Sequence, residues 1–293
     1  MKKLCDMTYG IVGMGLMGGS LAKAIRERVL GSAGAKGRVL GCDVNKASLE
    51  LAQRQHIIDA AFLPDSADAM LSECDFVYVC LYPKATVDFL MQHKAAFKSG
   101  AIVTDISGVK AELFNHLDDI LRPDVDFIPG HPMAGSEREG YAASSGLIFK
   151  DHNYILMPLA QNKTQNVELF KQLIAELGFT RIVTADARVH DHKIAFTSQL
   201  CHVIASALVQ SAEDTQVTAF GGGSFEDLTR IALINAPLWT ELFLANKTEL
   251  LSHIQTFEKS LSDLRTLIEK EDASGLTAYL EQVRSKRTQM SVR

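Results

Sequence analysis

Gly13-Met14-Gly15-Leu16-Met17-Gly18-Gly19-Ser20 stands between an apolar, partly β-branched run, Thr8–Val12, and a helical pattern that continues to about Val29. Its first three glycines have the spacing G-x-G-x-x-G. In a strand–turn–helix unit the first glycine permits the tight turn, the second lets a pyrophosphate touch the backbone, and the third lets helix and strand pack closely. The helix N-terminus would face such a phosphate with unpaired N–H groups. The stretch therefore predicts the first unit of a dinucleotide-binding fold.

The next apolar strand, Arg38–Cys42, ends at Asp43. A carboxylate at this place would bind the ribose hydroxyls of adenosine and repel a 2′-phosphate, so it favours NAD over NADP. Asn45 and Lys46 leave some room for NADP, and an acid that merely ends a strand is the alternative interpretation. The candidate cofactor-binding residues are Gly13, Gly15, Leu16, Met17, Gly18 and Asp43.

Apolar runs continue along the first half of the chain. The run at 75–81 is nearly continuous in apolar residues, which is typical of a buried parallel strand. A helical period over 166–177 ends at Gly178, a typical C-cap residue. The remaining predicted strands lie near residue 60 and at 101–105, 125–128, 153–159 and 180–184. We therefore predict an α/β domain of Rossmann type over residues 1–185.

The second half of the chain has no strand pattern. Residues 187–212 form one long amphipathic pattern that carries His190, His192 and His202, and we expect the first two to be exposed near its start. Further helices are predicted at 238–251, 253–270 and around 277–284, followed by a loose tail at 286–293. Residues 186–293 are thus an all-helical domain. Its long apolar faces would bury more surface against a second copy, so we expect a homodimer.

Composition narrows the class of partner. The net charge is −5 without a basic block, which favours a small-molecule substrate over a nucleic acid. Apolar residues make up 47%, yet no run of 18 suggests a membrane span, and the fold begins too early for a signal peptide. The five cysteines are scattered and form no C-x-x-C pair, so we expect a reduced, cytoplasmic setting and no metal site.

Gly130-His131-Pro132-Met133-Ala134-Gly135-Ser136-Glu137 follows the strand at 125–128. Pro132 fixes φ and the flanking glycines allow close approach, so the stretch is expected to be a stiffened turn. Histidine titrates near working pH, which makes His131 a candidate general base. Ser107 follows the strand at 101–105, level with the nicotinamide end of a Rossmann site. A surface histidine and an N-cap serine are the alternative interpretations.

These segments together resemble the prephenate dehydrogenase family, which includes arogenate dehydrogenases. The agreement covers nearly the whole chain. Besides the glycine loop it comprises Asp105-x-Ser107-x-Val109-Lys110, Gly130-His131-Pro132-Met133-Ala134-Gly135, His190-Asp191, Thr197-Ser198-Gln199-Leu200-Cys201-His202, Asp227-Leu228-Thr229-Arg230-Ile231-Ala232 and Pro237-Leu238-Trp239.

The resemblance implies NAD-dependent, metal-free oxidative decarboxylation of prephenate to 4-hydroxyphenylpyruvate, a step of tyrosine biosynthesis. His131 would take the proton of the ring hydroxyl as hydride leaves for the nicotinamide. Ser107 would orient His131 and contact the hydroxyl or the nicotinamide. Arg230 would bind the ring carboxylate, for which a guanidinium is well shaped, and His202 the pyruvyl side chain. The other pocket residues that the resemblance implies are Ser136 and Glu137.

Departures from the family pattern keep alternatives open. Gln199 and Cys201 stand where the family often has histidine and proline, and Glu226 stands where some relatives have lysine. An acid at that place hints at arogenate, which carries an ammonium group. A β-hydroxyacid or 6-phosphogluconate type dehydrogenase, with Lys193 as its lysine, is a second alternative. A non-catalytic NAD-sensing protein on the same fold is a third.

Overall fold

The computed structural model describes residues 2–120 and 122–290. Its strands are β1 (Thr8–Val12), β2 (Arg38–Cys42), β3 (Ala60–Phe62), β4 (Phe76–Val79), β5 (Ile102–Asp105), β6 (Asp126–Phe127), β7 (Gly130–Pro132), β8 (Asn153–Leu156) and β9 (Arg181–Thr184). The first six strands form one parallel sheet in the order β3-β2-β1-β4-β5-β6. This is the doubly wound order, in which the ligand crevice lies beyond the carboxyl ends of β1 and β4. The predicted fold class is confirmed.

Helices cover the sheet and make up the second half of the chain. They are α1 (Leu16–Ala24), α2 (Lys46–Arg54), α3 (Ala67–Glu73), α4 (Pro83–Gln92), α5 (Ala111–Asn115), α6 (Leu117–Ile120), α7 (Thr164–Glu176), α8 (Ala187–Ile194), α9 (Leu200–Gln210), α10 (Gly223–Thr229), α11 (Ala236–Ala245), α12 (Lys247–Glu269) and α13 (Ala273–Gln289). None of those described is long and apolar enough to cross a membrane.

One part of the core lies between the large sheet and α7, and a second part lies between the opposite face of the sheet and α3 and α4. Every residue of β1, β4 and β5 is buried, as their apolar composition predicts. Phe76 of β4 packs edge-on against Phe170 of α7 with ring centroids 5.0 Å apart. The predicted strand at 75–81 is shorter in the structure because Asp75 instead accepts a hydrogen bond from Thr8 N and lies beside Lys98 Nζ. The ring contact fixes α7 against the face of the sheet.

The G-H-P stretch was expected to be a turn, and the structure shows it to be a strand. β7 pairs antiparallel with β8, which places His131 opposite Ile155, and β8 pairs parallel with β9. The chain there meets a free strand edge that is distant in sequence, which no local pattern reveals. Pro132 is compatible because β7 lies at the edge of this second sheet.

The helical half differs from expectation at its boundaries. The segment at 187–212 consists of α8 and α9 joined by a π-helical turn, Ala195–Gln199, and it ends at Gln210. The next break falls at Asn246 rather than after 251, because buried Asn246 Nδ2 donates to Asp191 O and Gln199 Oε1. Most of the expected loose tail is helical, since α13 runs to Gln289; residues 291–293 lie outside the described residues.

Candidate active site

One cleft of about 650 Å³ lies between the carboxyl edge of the large sheet, β7 and the helices α9 and α11. It joins the two stretches that the sequence singles out, the glycine loop after β1 and the G-H-P strand. The predicted site residues that line it are Gly15, Leu16, Met17, Gly18, Ser107, His131, Ser136, Glu137, His202 and Arg230. Gly13 lies within the glycine loop and Asp43 beside it, and neither lines the cleft.

The glycine loop has the geometry of a phosphate cradle. Gly13 has a φ of +89°, and a Cβ on Gly18 would lie 1.9 Å from Gly13 O, so both positions require glycine. A Cβ on Gly15 would meet nothing within 4 Å, which leaves the backbone open to a ligand at the start of α1. Asp43 accepts a hydrogen bond from Met14 N and is thereby fixed beside the loop. These residues fit a dinucleotide pyrophosphate and its adenosine ribose.

His131 is the first member of a chain of three side chains. Its Nδ1 lies 2.9 Å from His190 Nε2, and His190 Nδ1 lies 2.7 Å from Asp191 Oδ1. The expectation that His190 is exposed is wrong, because the residue is only 1% exposed, whereas His192 is exposed as expected. The helical period explains the difference: His190 is one turn before the buried Ile194, whereas His192 lies on the opposite side of α8.

The surroundings of these histidines favour their neutral forms. Burial lowers the pKa of His131 well below its usual 6.5, and the neighbouring His190 and Lys110 lower it further. Burial also lowers the pKa of His190, against the opposing effect of Asp191. His131 is therefore neutral at physiological pH, which is the state required of a proton acceptor.

Lys110 and Asp105 form a fully buried ion pair beneath β7. Lys110 Nζ donates to Asp105 Oδ2 at 2.5 Å and to Gly130 O at 2.6 Å, and both side chains are 0% exposed. The backbone N–H groups of Lys110 and Ala111, at the start of α5, donate to the carboxylate of Asp191. The pair joins β5 to β7 one residue before His131, and Asp191 joins the helical half to the sheet domain.

Ser107 lies in the loop after β5 with its side chain turned into buried space. Its backbone N–H donates to Asp105 Oδ2 at 2.9 Å, while its Oγ has no hydrogen-bond partner among the described residues. An ideal Cβ on Gly108 would lie 3.7 Å from His131 Nε2, so this edge of the imidazole faces the Ser107 loop. The contact that orients His131 thus comes from His190, and Ser107 Oγ is left for a ligand.

Arg230 and Glu137 face each other across the cleft. Arg230 Nη1 lies 3.6 Å from Glu137 Oε2, and the side chains are 61% and 35% exposed. Such an exposed pair contributes little to stability. The Arg230 guanidinium can therefore exchange this carboxylate of the protein for a carboxylate of a ligand.

His202 lies on α9 with a defined orientation. Its Nδ1 donates to Ser198 O at 3.0 Å, and its ring stacks on Trp239 with centroids 3.6 Å apart at 29°. Burial lowers the pKa of His202, and nearby Arg230 lowers it as well. Because Nδ1 carries the proton, Nε2 is the edge that can accept a hydrogen bond.

The residues that depart from the family pattern lie in different surroundings. Gln199 is buried and its amide is bonded at both ends, with Nε2 donating to Leu242 O and Oε1 accepting from Asn246. Cys201 is exposed. Glu226 is also exposed and does not line the cleft in the described residues. Gln199 therefore holds α11 against the π-helical turn.

The roles of His190, Asp191 and Lys110 are visible in the structure but not in the sequence. The pair His190-Asp191 carries the resemblance, but neither residue was assigned a place in the site. The signal for His190 was its i,i−4 spacing from apolar Ile194, which places it on the buried face of the helix. Lys110 belongs to a segment that carries the resemblance, but its bond to Gly130 O of β7 joins residues 20 apart in the chain, and no local pattern predicts that bond.

Residues 21–183 match the family model described as the prephenate dehydrogenase nucleotide-binding domain, and residues 186–282 match its dimerization domain. The chain is 28% identical to a prephenate dehydrogenase of Bacillus subtilis, over 98% of this chain and 76% of the relative. It is 30% identical to a cyclohexadienyl dehydrogenase of Zymomonas mobilis, over 93% of this chain and 92% of the relative. A crystal structure of prephenate dehydrogenase from Aquifex aeolicus, in complex with hydroxyphenyl propionate and NAD+, superposes with a TM-score of 0.85 at 30% identity, over 97% of this chain and 98% of that one.

Proposed function

The chain belongs to the prephenate dehydrogenase family and is an oxidoreductase, and from this premise we propose that it oxidatively decarboxylates prephenate to 4-hydroxyphenylpyruvate with NAD as cofactor. The observation that carries the proposal is the single cleft into which both the glycine loop and His131, Ser107, His202 and Arg230 open. A nucleotide-binding loop beside a neutral histidine and a cation suits the oxidation of an alcohol that also carries a carboxylate.

NAD would be held by the glycine loop, with its pyrophosphate at Gly15 and its adenosine ribose at Asp43. When bound, its oxidised nicotinamide supplies the hydride acceptor for the ring carbon that bears the hydroxyl. The carboxylate of Asp43 disfavours the 2′-phosphate of NADP by charge repulsion.

His131 acts as the general base. Its neutral imidazole accepts the hydroxyl proton as the ring is oxidised, and Ser107 Oγ, which lacks a partner, binds the same hydroxyl. Loss of the ring carboxylate as carbon dioxide makes the ring aromatic and drives the reaction forward. The protein therefore needs to position the substrate against the cofactor and to supply one general base.

Arg230 binds the ring carboxylate in exchange for Glu137. The guanidinium is the cation that already meets a carboxylate across this cleft, at 3.6 Å, and Arg can hold a carboxylate by two parallel hydrogen bonds. His202, stacked on Trp239, contacts the side chain of the substrate.

The 6-phosphogluconate type alternative fits the cleft less well. Lys193, the lysine that this alternative requires, is exposed and is not among the described residues that line the cleft. It also assigns no role to His131. The arogenate hint from Glu226 has no support in the cleft for the same reason, since Glu226 lies outside its lining.

The helical half is proposed to form a homodimer, and we place the boundary between the two units near residue 185. Exposed apolar side chains recur along its last helices, among them Leu244, Leu261, Ile268 and Leu280. Exposed apolar side chains that recur along helices are commonly covered by a partner. Sedimentation should therefore give twice the chain mass, and a monomer at micromolar concentration would contradict the dimer.

The function is tested by following NADH absorbance with prephenate and with arogenate, each with NAD and with NADP. We expect the highest kcat/KM for prephenate with NAD. A higher value for arogenate would assign the second substrate, and turnover of β-hydroxyacids alone would assign the 6-phosphogluconate type. Binding of NAD without turnover of any of these would leave a nucleotide sensor.

A further inference from the structure

We propose that His190 and Asp191 are positioning residues that fix the tautomer of His131, so that His131 carries its proton on Nδ1 and presents Nε2 to the substrate. The inference deepens the proposed function, since it rests on His131 being the base. It concerns atoms that are in place before any ligand binds.

Backbone N–H groups at the start of α5 hold the carboxylate of Asp191. Its Oδ1 accepts from Lys110 N at 2.9 Å, and its Oδ2 accepts from Ala111 N at 2.9 Å and from Lys110 N at 3.2 Å. Because both of its oxygens already accept hydrogen bonds from backbone N–H groups, this carboxylate is the acceptor in its contact with His190. The 2.7 Å contact between His190 Nδ1 and Asp191 Oδ1 therefore has the proton on His190 Nδ1.

The proton on His190 Nδ1 decides which atom donates in the contact between His190 and His131. Burial lowers the pKa of His190, so this imidazole is neutral and its Nε2 is an acceptor. The 2.9 Å contact between His190 Nε2 and His131 Nδ1 then requires the proton on His131 Nδ1. His131 Nε2 is left with its lone pair on the edge that faces the Ser107 loop.

The arrangement matches what the proton transfer requires. The O–H bond of the substrate hydroxyl breaks, its electron pair stays with oxygen, and a new N–H bond forms at His131 Nε2. The resulting imidazolium keeps its Nδ1–H bond to His190. With the opposite tautomer, His131 would donate to the hydroxyl and no proton would be transferred. An aspartate that orients a catalytic imidazole in serine proteases acts by the same principle, through one histidine fewer.

A proton added to His190 would reverse the direction of its hydrogen bond with His131. His190 Nε2 would become a donor, His131 Nδ1 an acceptor, and His131 Nε2 would carry the hydrogen. The charged groups that act on His190 are Asp191, Asp105 and Lys110. Burial and Lys110 oppose protonation of His190, whereas Asp191 favours it. The charge of Lys110 therefore helps to keep His190 neutral and His131 protonated on Nδ1.

The direct test is ¹⁵N NMR of the histidine ring nitrogens in the ligand-free, unaltered protein at pH 7.5, with His131 assigned from the spectrum of His131→Asn. We expect Nδ1 of His131 to be protonated and Nε2 not. A proton on His131 Nε2 would overturn the proposal. This measurement needs no substrate, so it stands apart from the choice between prephenate and arogenate.

Two variants of His190 test its effect on turnover. His190→Leu removes the acceptor, and we expect kcat to fall roughly 10- to 100-fold, a part of the 10²–10⁴ expected for loss of a general base, with KM changed less than about twofold. His190→Gln keeps an oxygen that can accept from His131 Nδ1 and should recover part of the loss.

His192→Leu is the matched control, because His192 lies on the same helix and is also paired with a carboxylate, Glu249, at 2.6 Å, but at the surface. We expect its kcat and the His131 tautomer to be those of the unaltered protein. An unchanged kcat and tautomer in His190→Leu would refute the positioning role, and so would an equal loss in His192→Leu.

Discussion

Lys110→Met tests whether the buried pair beneath β7 holds the active-site strand. Both Lys110 and Asp105 are 0% exposed, and Lys110 Nζ bonds to Asp105 Oδ2 at 2.5 Å and to Gly130 O at 2.6 Å. Methionine has a similar length but no charge, so the carboxylate of Asp105 loses its buried counter-ion. Breaking such a pair by removing one partner costs about 3–5 kcal/mol. We expect the free energy of unfolding to fall by this amount.

The assay is urea unfolding at pH 7.5 and one protomer concentration, because the stability of a dimer depends on concentration. Lys193→Met is the matched control, since Lys193 is exposed, and its effect should stay within about 0.5 kcal/mol. Lys110→Met combined with Asp105→Asn removes the buried charge while keeping an oxygen for Ser107 N, and it should recover about 2 kcal/mol of the loss. The reasoning fails if Lys110→Met behaves like the control or if the double variant is no more stable than the single one.

Four further predictions concern the base, the substrate, the cofactor and pH. His131→Asn should lower kcat by roughly 10²–10⁴, the span for loss of a general base, and remove the acid limb of the kcat profile; a near-normal kcat would assign the base elsewhere. Arg230→Ala should raise the KM for prephenate about tenfold, or ~1.4 kcal/mol, and leave the affinity for NAD unchanged. The effect is modest because the guanidinium is 61% exposed. An unchanged KM would mean that the substrate carboxylate binds elsewhere. Asp43→Ser should narrow the preference for NAD over NADP in kcat/KM, whereas equal use of both by the unaltered protein would exclude this role. The pKa values of His131 and His190 are lowered in the folded protein, so just below pH 6.5 the unfolded chain binds more protons than the folded one. Stability is therefore lost as the pH falls through that value, by up to about 1.4 kcal/mol per pH unit for each group. The melting temperature should drop between pH 7.5 and 5.5, and it should drop less in His190→Leu; a melting temperature that does not change with pH would contradict the lowered pKa values.

Local sequence determined the sheet domain and most candidate side chains. Gly13 and Gly18 specify a turn that only glycine allows, and the apolar runs around it specify buried parallel strands. His131 stood out as a titratable side chain in a stretch flanked by glycine and proline, and Arg230 stood out through the family resemblance of its segment. These signals are readable because each depends on residues close together in the chain.

The tertiary structure alone decided how the site is held together. His131 and His190 are 59 residues apart in the chain, and Lys110 and Asp191 are 81 apart. Their hydrogen bonds exist because β7 adds to the edge of β8 and because α8 packs against the start of α5. Periodicity reports which face of a helix is buried, but it does not report which distant polar group meets that face. The physical reason is that a buried polar side chain must find a partner wherever the fold places one, so the orientation of the base was fixed by the assembled fold.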